Sequence, residues 1–138
     1  MASYKWIRTP ADLHRPMVSY SGDVVPGTIR GQTRTVQVSH LPGQYPDENL
    51  FDFMTERTIV GVHHCQPGAR HGAHEHPDME QIYYVISGRA EAMVGDEKAV
   101  VGPGSSVFIP PNVLHDFANA GEEELVMMVI SSGLEDID

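Results

Sequence analysis

With a single cysteine, Cys65, the 138-residue chain cannot form an internal disulfide, and a reducing compartment, the cytoplasm, is its expected setting. Cations are also scarce. Nine Lys and Arg stand against nineteen Asp and Glu, a net charge of −10 with histidine neutral. That sign repels phosphate backbones and anionic lipid, so neither nucleic acid nor a membrane is an expected partner. Long apolar runs are missing as well. The longest aliphatic stretch, Leu125 to Ile130, has six residues, where about 20 are needed to cross a bilayer as a helix. The opening MASYKWIRTPADLHRPMVSY has no apolar core, and no export signal is expected within it. No stretch of twelve or more residues keeps a 3.6-residue period, which argues against long helices.

What the chain does contain is punctuation and short β-prone pieces. Thirteen Gly and ten Pro break it up, and 41% apolar residues are enough for one core, so one domain is expected. Runs rich in Val, Ile, Thr and Tyr predict strands over 33–39, 58–65, 81–87, 89–94, 99–101, 105–109, 115–119 and 124–131. Gly95-Asp96, Gly102-Pro103-Gly104 and Asn119-Ala120-Gly121 supply turn chemistry between them. Many short strands with even turns predict an all-β sandwich or small barrel over 33–138. Residues 1–32, interrupted by Pro10, Pro16 and Pro26, are expected to lie over it as an irregular N-terminal arm. Asp47 to Met54 is expected to form one or two helical turns, since Asp47 is a suitable N-cap and Leu50, Phe51 and Met54 share a side. The acidic ending Glu135-Asp136-Ile137-Asp138 reads as a solvated terminus.

Histidine is distributed unevenly. Five of the eight, His63, His64, His71, His74 and His76, fall within fourteen residues. His74 and His76 are one residue apart, which on an extended strand puts both imidazoles on one face, where two neutral nitrogens can hold a divalent ion. His71 is an odd number of residues from His74. A regular strand would turn it to the other face, although Gly68 and Gly72 can break that regularity.

Two longer patterns enclose these residues. Gly68, His74, His76, Gln81 and Gly88 follow G-x5-H-x-H-x4-Q-x6-G, and Gly104, Pro110, His115 and Asn119 follow G-x5-P-x4-H-x3-N, with fifteen residues between the two. The pair resembles the first and second motifs of the cupin superfamily, with Gln81 where Glu is more usual. The resemblance covers 68–119 and implies a double-stranded β-helix, the cupin jelly-roll barrel, with a metal in one mouth. The implied ligands are His74, His76, the residue at position 81, and His115. Adjacent strand residues face opposite ways, so only one of Glu80 and Gln81 reaches such a site. The interval to Gly88 selects Gln81, while a register of three residues after His76 selects Glu80. Small cupins with a glutamine ligand, including pectin-degradation proteins acting on unsaturated uronates, are part of the pattern that this chain resembles.

A glutamine ligand has an electrostatic consequence. Three imidazoles and an amide leave a divalent ion at +2, against +1 with a carboxylate. The more charged site is the stronger Lewis acid and disfavours a trivalent state. The expected cofactor is one divalent transition metal, among Mn, Fe, Zn, Ni and Co. The expected activity is isomerisation or enolisation, elimination or decarboxylation of a small anionic metabolite. A dioxygenase using Fe and O2 and a non-catalytic small-molecule-binding cupin are the alternatives.

Such chemistry also needs a group that moves a proton. The candidates are Tyr83, His63 and, if it is not a ligand, Glu80; Tyr83 shares the face of Gln81, and Tyr84 packs outside. One of His63 and His64 should face the cavity. Arg70 and Arg89 read as solvated surface residues, and Cys65 as a small buried apolar residue. Phe108, Phe117, Met93, Met127 and Met128 are expected to fill the barrel or form its wall. Asp116 is expected to face away from the metal or to orient an imidazole. Cupins commonly pair through sheet edges and an N-terminal arm, so the resemblance also implies a homodimer.

Overall fold

Alternation with a period of two shapes the longest strands. The computed structural model describes residues 17–20, 30–41 and 53–133. In chain order the strands are β1 (Met17–Tyr20), β2 (Gln32–Gln37), β3 (Ser39–His40), β4 (Phe53–Met54), β5 (Thr58–Cys65) and β6 (Met79–Ser87). They continue with β7 (Ala90–Val94), β8 (Glu97–Val101), β9 (Ser106–Ile109), β10 (His115–Asn119) and β11 (Leu125–Gly133). Among the described residues there is no helix.

Two antiparallel sheets make up the architecture, a double-stranded β-helix. One sheet runs β1-β2-β5-β11-β6-β9 and the other β10-β7-β8, while β3 and β4 form a short parallel pair. Every other residue of β6 and β11 points between the sheets. Gln81, Tyr83 and Val85 do so on β6, and Leu125, Met127, Val129 and Ser131 on β11, all buried. Cross-strand register lines these residues up in rows. Ile59, Ser131, Gln81 and Ile109 lie side by side across four strands, and Gly61, Val129, Tyr83 and Val107 form the next row. Phe117, Leu125, Met127, Val85 and Cys65 are fully buried at the centre, where each large apolar side chain contributes roughly 1.5–3 kcal/mol. The inward rows are apolar in mid-barrel and turn polar at Gln81 and Ser131, which places a polar mouth at that end.

Several expectations are corrected. Phe108 is 52% exposed, because its partner across β9 and β6 is the outward-facing Ile82, and Val107 and Ile109 take the inward positions. Phe53 and Met54, the end of the expected helical turn, form β4 beside β3. Residues 47–52 lie outside the described residues. Of the arm, Met17–Tyr20 is a strand paired antiparallel with β2, and Arg30 to Gln32 lead into that strand; residues 1–16 and 21–29, like 134–138, are outside the described set.

Candidate metal centre

The strand patterns that build the core also carry the histidines to one mouth. β10 begins at His115, whose side chain is fully buried. The segment before β6 runs beside β10, with isolated bridges pairing Arg70 with Ala118 and His74 with His115. This puts the first-motif and second-motif histidines side by side. Ring centroids lie 4.3 Å apart for His74 and His115, 4.8 Å for His74 and His76, and 5.5 Å for His76 and His115. One nitrogen from each of the three falls within 4.8 Å of the others.

Hydrogen bonds set the direction of two rings. The Nδ1 of His74 lies 2.7 Å from the carbonyl oxygen of Gly72, and the Nδ1 of His115 lies 2.9 Å from that of Val113. A carbonyl only accepts, so in both rings Nδ1 carries the proton and Nε2 keeps its lone pair. The Nε2 of His115 is buried without a hydrogen-bond partner among the described residues. So is the Oε1 of Gln81, whose Nε2 donates to the Ser131 hydroxyl at 3.0 Å. A buried acceptor left unpaired costs roughly 1–3 kcal/mol unless something meets it. Two such buried acceptors, each on a residue near His74 and His76, fit a cation, and neutral imidazole nitrogens with an amide oxygen are a donor set that borderline divalent ions accept.

A cavity of about 240 Å³ opens on the group. Its wall includes His63, His71, His74, His76, Gln81 and Tyr83, with Ile59, Met79, Val129 and Ser131 beside them. Glu80 is not in that wall; it pairs with Ser132 on the face of β6 opposite Gln81. Tyr83 is buried inside and Tyr84 is half exposed outside. His63 lines the cavity, while His64 faces Glu124 at 3.3 Å on the outer face of the sheet.

His63 stacks on Tyr83 with ring centroids 5.7 Å apart, meets His71 edge-on at 4.7 Å, and shares a hydrogen bond of 2.8 Å with the Thr35 hydroxyl. Burial first, then the neighbouring imidazoles of His71, His64 and His74, hold His63 down to about 3. Burial and then His74 hold His71 down to about 4, partly offset by Asp116. His76 and His115 are also held below the ordinary value, chiefly by burial. Burial, followed by Cys65, raises the Tyr83 phenol above its usual range. Near neutral pH these four imidazoles are therefore uncharged and the phenol un-ionised.

Two features of the wall are not expected from the sequence. His71 faces the cavity despite its odd separation from His74, and its Nε2 sits 3.1 Å from the Cys65 sulfur. Ser131 supports Gln81. The signal for Ser131 is a hydroxyl in the inward row of β11, and the signal for His71 is the glycine after it. Cys65 itself is buried, its thiol pushed up to about 12 by burial and Glu124. Arg70, expected as a free surface residue, is half exposed but bound to Asp116 at 2.5 Å.

Residues 61–131, half of the chain, match the cupin domain family. The chain belongs to the cupin family. This cupin is 33% identical to the uncharacterized protein MJ1618 of Methanocaldococcus jannaschii, over 95% of its own length and 90% of that protein's. The structure of KdgF from a Halomonas species superposes on the cupin with a TM-score of 0.62 at 22% identity, covering 89% of each chain. A DMSP lyase superposes with a TM-score of 0.59 at 24% identity, covering 77% of the cupin and 50% of the lyase. These two likenesses are of fold, and they show that the fold's neighbours include enzymes.

Proposed function

We propose that this cupin is a metal-dependent enzyme that carries out Lewis-acid chemistry on a small anionic metabolite. The observation that supports it is a pair of buried acceptors without a partner among the described residues: His115 Nε2, on a ring grouped with His74 and His76, and Gln81 Oε1, on a side chain that shares a cavity wall with those two histidines. His74, His76 and His115 would hold one divalent ion through ring nitrogens, and Gln81 would supply a neutral fourth oxygen. When bound, the ion polarises a substrate oxygen and stabilises charge that develops on it.

The chain's own residues define the rest. Among the described residues the wall of the cavity includes no lysine or arginine, so a bound ion would be the cationic partner of an anionic substrate oxygen. Apolar Ile59, Met79 and Val129 face the remaining space, and about 240 Å³ accommodates a small molecule. His63, neutral at physiological pH and oriented by Thr35, is placed to accept a proton from a bound substrate. Tyr83, stacked on that ring and un-ionised, is placed to return one. Glu80, on the other face of β6, is outside this scheme. Proton removal next to a carbonyl or carboxylate held in the cavity would lead to isomerisation or elimination, whereas decarboxylation would need only the returning proton after CO2 leaves. The DMSP lyase among the structural neighbours offers a precedent for elimination on this fold.

The experiment is solvent exchange. Protein loaded in turn with Mn, Fe, Co, Ni and Zn is incubated in D2O, under nitrogen and in parallel in air with O2 monitored, with a panel of small 2-keto and 3-hydroxy acids, and the C–H signal next to the carbonyl is followed by NMR. Exchange or product formation without O2 is the expected result. Turnover only with Fe and with stoichiometric O2 uptake would replace this reading by a dioxygenase, and binding with neither would make the protein a carrier. We also propose a cytoplasmic homodimer. The lone buried Cys65 fits a reducing compartment, and the exposed Ile82, Tyr84, Ile86, Phe108 and Ile130 on the outer face of the larger sheet fit a second copy.

A further inference from the structure

The two bridges beside β10 do not count equal numbers of residues. From Arg70 to His74 the chain takes four steps, while from Ala118 to His115 it takes three. One extra residue is a β-bulge, and it inverts the alternation of side chains across it. That inversion brings His71 and His74, an odd number apart, to one cavity. The extra residue falls where Gly72 adopts φ +96°, a conformation L side chains rarely take.

A bulge leaves an amide that the ladder cannot pair. Here a side chain pairs it: the Oδ1 of Asp116 accepts the Gly72 N–H at 3.0 Å. The other oxygen, Oδ2, takes Arg70 Nη1 at 2.5 Å, and Arg70 Nη2 also reaches Glu91 at 3.8 Å. The Asp116 side chain is 7% exposed although it follows His115 directly, on the opposite face of β10. The carbonyl of the same glycine, in the next peptide unit, accepts the Nδ1–H of His74 at 2.7 Å. A path thus runs from Arg70 through the Asp116 carboxylate to the Gly72 N–H, and across that residue's backbone from its carbonyl to the His74 ring.

We infer that Asp116, braced by Arg70, is a positioning residue for the metal centre. It holds the bulge at Gly72, and the bulge turns the Nε2 of His74 and the ring of His71 into the cavity. The inference rests on the reading of His74 as a metal ligand. A carboxylate merely neutralising a surface arginine would leave the Gly72 amide and the site indifferent to its loss.

The test uses Co2+ as the probe, with affinity and visible absorption read together, and amide exchange measured on the metal-free protein. Asp116→Ala is expected to weaken Co2+ binding about 10- to 100-fold, the range for loss of an outer partner of a ligand histidine. It should also change the Co2+ spectrum and speed exchange of the Gly72 amide at least about tenfold, while amides of β6 keep their protection. Asp116→Asn, whose amide oxygen can still accept from Gly72, should recover most of the affinity and the spectrum. Co2+ affinity within about twofold of wild type, with an unchanged spectrum and unchanged Gly72 exchange, overturns the inference. Should Asp116→Ala fail to fold, Arg70→Ala on a half-exposed side chain is expected to give the same two changes in smaller measure, and wild-type values for both overturn it. Wild-type protein that binds no Co2+ sinks the metal reading and this inference together; wild-type binding beside an indifferent variant sinks the inference alone.

Discussion

Which nitrogen of an imidazole carries the proton is decided one residue at a time, and at His74 and His115 a backbone carbonyl decides it. Each ring then offers Nε2 to the same space. Loss of either ring removes a donor itself, so His115→Ala or His74→Ala should reduce metal affinity by more than the about 100-fold reached by outer partners. Gln81→Ala should lower the metal content measured by elemental analysis, and Glu80→Ala should leave it at the wild-type level. Equal content across these variants would overturn the ligand set. The depressed His63 and His71 make a second prediction. Between pH 6.5 and about 4 the unfolded chain binds protons on these rings that the folded chain does not. Stability is therefore full above pH 6.5 and declines as pH falls, by on the order of 1 kcal/mol per pH unit for each ring. Urea unfolding of the metal-free protein at pH 7 and pH 5 measures it, with His63→Phe expected to flatten the dependence.

Elements convert these residues into a site by register. On β6 and β11 the inward row passes from Val85 and Leu125 to Gln81 and Ser131, so one hydrogen-bond ladder holds core and mouth in fixed relation. Gly88 closes the β6 end of this arrangement. A Cβ there would stand 2.5 Å from the Glu124 carbonyl oxygen and 2.7 Å from the Leu125 Cα, at φ +81°. Gly88→Ala should therefore cost at least about 2 kcal/mol, combining strain at positive φ with a backbone collision. Gly102→Ala, with open space around the added carbon, should stay within about 0.5 kcal/mol of wild type. Urea midpoints of the two variants give the comparison, and equal midpoints would contradict this account of Gly88. The glycine was readable in the sequence as the motif position after the 81–87 strand; the wall of Glu124 and Leu125 behind it was not, because those residues are 36 and 37 positions further along.

Over the whole molecule the larger sheet shows two faces of different kinds. Its inner face makes the core, and its outer face leaves Ile82, Phe108 and Ile130 adjacent in register across β9, β6 and β11, all more than 40% exposed. If a second copy covers this face, Phe108→Glu or Ile82→Lys should halve the mass seen by light scattering, to that of the 15.2 kDa chain. A wild-type monomer would remove the proposed homodimer.

Local chemistry is what the sequence determined by itself. Strand alternation and turn glycines are properties of neighbouring residues, and they were enough to read eight strands of an all-β sandwich or small barrel, while the resemblance of two motifs containing His74, His76, Gln81 and His115 implied the cupin barrel and its mouth. Tertiary structure decided whatever depends on pairing between distant segments. It set which of Glu80 and Gln81 faces inward, sent Phe108 outward against Ile82, and added β1, β3 and β4. It also placed His71 beside His74, since a bulge is visible only when the opposite strand is there to count against. Residue order sets what each side chain can do, and cross-strand register sets which of them meet.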